Sequence, residues 1–315
     1  MIKINLLAAL FLLAWGNKGI CQIWYKEQME VCMAHQLNKI LHADALFEDR
    51  WVVLPQVQFW KRIMTMSPDS SIINVARNRT ILEVVSTAQW QQKSEVEKAA
   101  YKKELKSRFA LDSAETLYVT TGKNDFYRLR EVYPSLGKGI EVFENNEVDP
   151  WYAQAILLIE SPAQLKKSVS GAYGAFQLMP GVAKQYGLTV TTRQDDRADF
   201  SKSAFAASQL MKLSCIPSAR RILQQACIPF LEHEMGFRLF VMHVYHAGAG
   251  NVAAVVAKIK NKENTMELIK TMWITSAASF GNNSQNYSQL ALAAQWLLYD
   301  YVYSSCDELH SCVGK

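Results

Sequence analysis

Glu160 is the residue of this chain best placed to move a proton. It closes the apolar run Ile156-Leu157-Leu158-Ile159, and a carboxyl at the end of so apolar a helix is poorly hydrated. Its charged form is disfavoured, which predicts a raised pKa. Such a group still holds a proton near neutral pH, as a general acid must. Ser161 follows, and after a short interval comes Gly171-Ala172-Tyr173-Gly174-Ala175-Phe176-Gln177-Leu178-Met179-Pro180. That stretch has little bulk, so the backbone can pass close to a ligand. Together the two features predict one proton-carrying acid beside a groove for an extended substrate.

Other chemistry-bearing residues read more plainly. His243 and His246 stand three apart on one helix, a spacing that can bind zinc. There is no HExxH, and no cysteine pair has CxxC spacing, so no metal is expected. One buried and one groove histidine is the reading that fits. Asp195, Asp196 and Asp199 can offer a second carboxylate, but short acidic residues in a turn favour capping.

The elements that must position these groups are mostly helices. Asp149 as N-cap and Pro150 at the first helical position start the helix that ends at Glu160, and Pro162 forbids its continuation. Pro180 to Tyr186 forms a short helix stopped by Gly187. Further helices are expected from Ser201 through Leu213, from Met235 to Ala247 with Gly248 as the stop, from Asn251 to Ile259, and from Ser284 to Tyr303. Upstream, 24–48 and 51–66 read as helices, and Asp69 can cap another over 70–91. Ser94-Glu95-Val96-Glu97 is a capping box opening a helix to about Phe109. Leu117-Tyr118-Val119-Thr120-Thr121 is one of few β-like runs, and Gly122 to Gly139 reads as loop and short helix.

The chain has 315 residues, half of them hydrophobic and a fifth charged, which excludes a disordered chain and leaves ample length for a core. A net charge of +5 without a Lys/Arg cluster is far from a nucleic-acid signature. Lys3, the apolar run 4–15 and the small residues Gly19 and Cys21 describe a secretory signal peptide over 1–21, too short to span a bilayer comfortably. No later stretch looks membrane-spanning, so the mature protein is expected to be exported and soluble. In an oxidising compartment Cys215/Cys227 and Cys306/Cys312 are plausible disulfides, with Cys32 left over.

Three blocks carry a resemblance. Glu160-Ser161, the stretch from Ser168 through Pro180, and Val244-Tyr245-His246-Ala247-Gly248-Ala249-Gly250 resemble, in order and spacing, the signature blocks of lytic murein transglycosylases, closest to the membrane-bound D type. Asp195-Asp196-Arg197-Ala198-Asp199 and Ser284-Gln285-Asn286-Tyr287 are similar to two weaker segments of that family. The resemblance covers about 125–298. It implies a mainly α fold of the α+β lysozyme-like type, with a helical catalytic domain over 121–315 and a helical N-terminal region of unknown role over 22–120. It also implies a peptidoglycan glycan strand as substrate, in the periplasm or cell envelope of a bacterium, with no cofactor, no nucleic acid and no integral membrane segment in the mature chain.

Residue by residue, the resemblance implies that Glu160 protonates the glycosidic oxygen between N-acetylmuramic acid and N-acetylglucosamine. Glu160 then takes the proton of the muramic 6-hydroxyl, which closes a 1,6-anhydro ring. Gln177 is implied as a sugar contact, Ser168 as support for the acid or the acetamido group, and Tyr245 as hydrogen-bond partner of the catalytic carboxyl. His246 stands where the family has Asn and is expected to replace it near Glu160. Pro162-Ala163-Gln164-Leu165 replaces the family's aromatic and Asn-Pro, the interval to Gly171 is one residue short, and Ala175 replaces Leu. Trp51, Trp60, Trp90 and Trp151 can stack on sugars or pack between helices, with packing the expectation for Trp151. Two other readings stand beside this one: a muramidase using an Asp from 195–199, and a catalytically inactive lysozyme-like wall-binding or scaffold protein.

Overall fold

Trp151–Ile159 contains one polar side chain, Gln154, so a helix made from it is apolar on every side and has to be surrounded. A computed structural model describes residues 27–33, 36–160, 167–260 and 263–306, and in it all nine residues of that helix are buried. Elements from both sides of it in the sequence cover it.

In chain order, a hairpin of β1 (Gln28–Met33) and β2 (Gln36–Leu41) leads into α1 (Asp44–Glu48) and α2 (Pro55–Thr65). Then come β3 (Ser70–Val75), β4 (Ile81–Ser86), α3 (Thr87–Gln92), α4 (Glu95–Arg108) and β5 (Leu117–Thr121). The site-bearing part follows, with α5 (Leu129–Asn145), α6 (Trp151–Ile159), α7 (Pro180–Gln185), α8 (Phe200–Leu210) and α9 (Ile216–Gln225). It ends with α10 (Met235–Ala247), α11 (Ala249–Lys258), α12 (Thr265–Met272) and α13 (Asn282–Cys306). The protein is mainly helical with two small antiparallel sheets, β1-β2 and β4-β3-β5.

Helices α5, α10 and α13 all pack on α6. Gly139 lets α5 approach: a Cβ there would lie 2.7 Å from Leu157 Cδ1. Polar anchors fix α6 at its start and near its middle. Asp149 Oδ1 accepts from the Trp151 N–H at 2.9 Å, while Asp149 Oδ2 accepts from Arg238 Nε of α10 at 2.7 Å. Arg238 in turn reaches Glu27 ahead of β1 at 2.7 Å. Gln154 is satisfied inside the core: Oε1 accepts from Leu41 N, and Nε2 donates to Leu41 O and to Gln295 of α13. One apolar core runs from Val31 of β1 to Val302 of α13. A second, small one joins Ile73, Val75, Trp90, Leu105 and Leu117 between the three-stranded sheet and α4.

Several expectations change. The helix read over 24–48 is mostly the β1-β2 hairpin, where Met29, Val31 and Met33 alternate with Gln28, Glu30 and Cys32, the period of a strand. The helix read over 70–91 is β3, a turn and β4 up to Ser86, and helical only from Thr87, in α3; the Ile and Val residues before that are β-branched and suit a pleated surface. Gly122 to Gly139 is chiefly one long helix, α5. The helix read to Leu213 continues through a π turn at Met211–Cys215 into α9, and the widened turn accommodates Pro217, which lacks an N–H. Cys215 and Cys227 are not bridged: Cys215 is buried and Cys227 exposed. The signal segment 1–21, Ser161 with the Pro162-Ala163-Gln164-Leu165 stretch, and the Cys306/Cys312 pairing lie outside what the structure describes. The α4 capping box forms as read, with Ser94 and Glu97 bonding reciprocally.

Candidate active site

Glu160 stands at the C-terminus of α6, beyond the last fully buried residue. Its side chain is half-buried, and the carboxyl is crowded by protein. The lost hydration pushes its pKa up to about 7, against the opposing pull of a hydrogen bond from Tyr287. That bond is short: the Tyr287 hydroxyl on α13 donates to Glu160 Oε1 at 2.6 Å. Among the described residues it is the hydrogen bond given to the Glu160 carboxyl, and it engages Oε1.

Two more phenols feel the Glu160 charge. Tyr245 of α10 and Tyr127, ahead of α5, are both raised in pKa by burial first and by Glu160 second. Tyr287 is raised in the same way. All three therefore stay neutral O–H groups at any pH where Glu160 titrates.

Tyr245 does not bond the carboxyl as the resemblance implied. Its hydroxyl donates to the Phe176 carbonyl at 2.6 Å, tying α10 to the turn that precedes Gln177. The carboxyl partner is Tyr287, which reaches Glu160 across 127 residues of sequence. His246 lies against that partner, its ring stacked on Tyr287 with centroids 4.2 Å apart and planes 21° apart. Its contact with the acid thus runs through Tyr287 rather than through a hydrogen bond of its own.

The Gly-Ala block forms a tight hairpin. Tyr173 and Leu178 exchange backbone hydrogen bonds at 3.1 and 3.2 Å, and Gln177 N donates to Gly174 O at 3.0 Å. Gln177 adopts φ +46°, and its Nε2 also donates to Gly174 O. Ser168 Oγ accepts from Ala172 N at 2.9 Å and lies 3.0 Å from Ser170 Oγ. Both polar side chains are therefore engaged in shaping the loop they belong to.

The glycine requirement has a different origin from the ligand approach read in the sequence. Gly174 has φ +84°, and a Cβ there would stand 1.9 Å from the Arg197 carbonyl oxygen. Arg197 is buried and clamps the hairpin through Gly171 O and Leu178 O, each at 2.8 Å. Asp195 holds the same guanidinium through both carboxylate oxygens. Asp196 receives Thr189 N, Gln194 Nε2 and Lys202 Nζ, and Asp199 caps α8 through Lys202 N. The acidic turn is spent on structure, as capping predicts.

His243 is fully buried, with Ser288 Oγ 2.9 Å from its Nε2. Trp273 Nε1 donates to that same hydroxyl at 2.7 Å, so Ser288 links the two rings. Burial drops the imidazole to about 3, which keeps it neutral. Trp51, Trp60, Trp90 and Trp151 are buried and pack rather than present a face to ligand.

The raised pKa of Glu160 was legible in the sequence, whereas Tyr287 and Tyr127 as its surroundings were not. Tyr287 lay in a segment singled out on other grounds; Tyr127 carried no signal.

Comparison with known families matches residues 140–267 to the Transglycosylase SLT domain. That span holds Glu160, Ser168, Gln177, Tyr245 and His246, and ends before Tyr287. No curated protein and no solved structure matches the chain.

Proposed function

We propose that this chain, whose residues 140–267 match a transglycosylase SLT domain, is a lytic transglycosylase. It cleaves the bond between N-acetylmuramic acid and N-acetylglucosamine in peptidoglycan and leaves a 1,6-anhydro end. The observation that carries this reading is the state of Glu160: a carboxyl held near 7 by burial, with one oxygen fixed by Tyr287 at 2.6 Å.

In the proposed reaction the Glu160 oxygen that Tyr287 does not bond gives its proton to the glycosidic oxygen as the bond to muramic C1 breaks. The developing carboxylate is stabilised by the Tyr287 hydroxyl. The muramic 6-hydroxyl then attacks C1 and returns its proton to Glu160. No water is consumed and the acid is regenerated. One carboxyl serves both steps, in contrast to the pair that a glycosidase uses for hydrolysis. The engagement of Asp195, Asp196 and Asp199 in the acidic turn weighs against the muramidase reading.

Gln177, Ser168 and His246 are proposed to border the sugar-binding face, and Tyr245 to hold the Phe176 turn toward it. Peptidoglycan as substrate implies action outside the cytoplasm, consistent with an export signal over 1–21. No helix among the described residues is long and apolar enough to cross a membrane.

The test is mass spectrometry of muropeptides released from purified sacculi by the leader-free chain and by its Glu160→Gln variant. Anhydro-ended products that vanish with the variant are expected. Reducing muramic ends would make the enzyme a hydrolase. Binding to sacculi without release by either protein would sink the catalytic reading.

A further inference from the structure

The helix that carries Tyr287 is bonded by a residue from far upstream in the chain. Arg79 sits in the β3–β4 turn at φ +61°, a left-handed conformation that a non-glycine residue adopts only when its surroundings enforce it. Its side chain is buried, 4% exposed. One guanidinium nitrogen donates to Asn282 Oδ1 at 2.8 Å and to Asn286 Oδ1 at 2.7 Å, on the first and second turns of α13. The rings of Phe59, Trp60 and Tyr118 surround the cation at 5.6, 5.6 and 5.3 Å. Trp60 adds a second tie to the same helix, its Nε1 donating to Gln289 Oε1 at 3.0 Å.

Among the described residues no carboxylate pairs with Arg79; its partners are amide oxygens and ring faces. A buried cation held this way is expensive to stability, and burial lowers its pKa. What the arrangement supplies is direction. Two short bonds to side chains four residues apart grip one face of α13 and fix its rotation and height. Asn282, Asn286 and Gln289 form the gripped face, and Tyr287 projects from the residue next to Asn286.

We propose that Arg79 is a positioning residue: through Asn282 and Asn286 it sets the rotation of α13 that delivers the Tyr287 hydroxyl to Glu160 Oε1. The assignment rests on the reading of Glu160 as the acid/base. It also gives the N-terminal part of the chain a role, since β3 and β4, ahead of the SLT segment, then hold a helix that lies behind it.

The groups facing Glu160 make the effect readable. Among the described residues they are Tyr287 from α13, Tyr245 from α10 and Tyr127 from ahead of α5, with His246 of α10 stacked behind Tyr287. The three phenols stay neutral, and burial lowers the His246 pKa. A loss of the Tyr287 bond therefore shows in the titration of Glu160 itself.

The experiment is carboxyl-carbon NMR titration of Glu160 in the leader-free chain, assigned by Glu160→Gln. The proteins compared are wild type, Arg79→Ala, Tyr287→Phe and the double variant. Arg79→Gly guards against a collapsed turn, because the backbone at φ +61° suits glycine. Both Arg79 variants should raise the Glu160 pKa in the same direction as Tyr287→Phe, and the double variant should match Tyr287→Phe alone. A Glu160 titration unchanged in both Arg79 variants, with only the melting temperature lowered, would reduce Arg79 to a structural residue. Shifts that add in the double variant would show that Arg79 acts by a route other than Tyr287. Because the readout needs no turnover, the outcome is separable from the sacculus assay: shifts without muropeptide release would leave the positioning intact and remove the enzyme.

Discussion

Removing one oxygen, Tyr287→Phe, isolates the hydrogen bond on which the acid depends. The bond is 2.6 Å long, joins a buried phenol to a desolvated carboxyl, and strengthens when that carboxyl is charged. Hydrogen bonds to charged groups contribute about 1.5–3 kcal/mol, and one pH unit corresponds to about 1.4 kcal/mol. Losing the bond should therefore raise the Glu160 pKa above its present value of about 7 by about one to two pH units. The sign follows from which form loses support: the carboxylate is destabilised, so the proton is held more tightly.

Two kinetic consequences separate cleanly. The first step of the proposed reaction needs protonated Glu160, so the alkaline limb of kcat/KM against pH should move upward by that same interval. The plateau should fall, because the bond also supports the carboxylate that forms in the transition state. The same energy corresponds to a loss of about 10- to 200-fold. The assay is release of soluble muropeptides from sacculi across pH 5–10, with circular dichroism to establish folding. A folded variant with a lower plateau and an unmoved alkaline limb would refute the electrostatic argument and leave Tyr287 a packing residue. A limb displaced downward would refute it more directly.

Glu160→Gln should abolish cleavage yet stabilise the fold at alkaline pH. A carboxyl raised from 4.5 to about 7 binds its proton more tightly in the native state, so its stability contribution is full below about 4.5 and lost as pH rises to about 7; the difference approaches ~3 kcal/mol. Urea denaturation of both proteins at pH 4.5 and pH 8 measures it, and an equal gap at the two values would contradict the raised pKa. Tyr245→Phe removes the bond to the Phe176 carbonyl and should cost about 1 kcal/mol of stability while leaving the alkaline limb in place. An upward limb shift like that of Tyr287→Phe would return the carboxyl contact to Tyr245. Gly174→Ala combines φ +84° with a Cβ driven to 1.9 Å from Arg197 O; a loss of at least about 2 kcal/mol is expected in chemical denaturation, and a near-neutral result would mean that the hairpin can move off the acidic turn.

The properties legible in the sequence were those set by neighbours in the chain. Four apolar residues before Glu160 predicted its desolvation, and Asp149, Pro150, Gly187, Gly248 and the Ser94 capping box marked helix ends close to where they stand. The β3-β4 hairpin was missed because a cap at Asp69 was weighed above the β-branched content of Ile72, Ile73, Val75 and Ile81. The stretch around Gly174 was legible as short of bulk, but not the atom that Gly174 itself avoids, which belongs to Arg197, 23 positions on. The identity of the carboxyl partner was illegible for the same reason. Tyr245 and Tyr287 both end near Glu160, and only the packing of α10 against α13 decides which hydroxyl faces the carboxyl and which faces Phe176.

That division of labour between two tyrosines bears on how one carboxyl can serve twice. A group that gives a proton and then takes it back works best with a pKa near the operating pH, because a strong acid would not return as a base and a weak one would not leave as an acid. Burial at the end of α6 pushes Glu160 upward, and the Tyr287 bond pulls it down; the two oppose each other and meet at about 7. Either influence alone misses the target. An exposed glutamate would sit near 4.5, mostly ionised before the sugar arrived. A buried one without Tyr287 would hold its proton too tightly and leave the carboxylate, once formed, without a donor. The balance requires α6 and α13 to keep a fixed distance, and the ties that fix it, Gln154 to Gln295, Trp60 to Gln289 and Arg79 to Asn282 and Asn286, draw on α2 and the β3–β4 turn. On the proposal for Arg79, the β3–β4 turn and α2 are thereby part of what sets the acidity of Glu160, through side chains of α13.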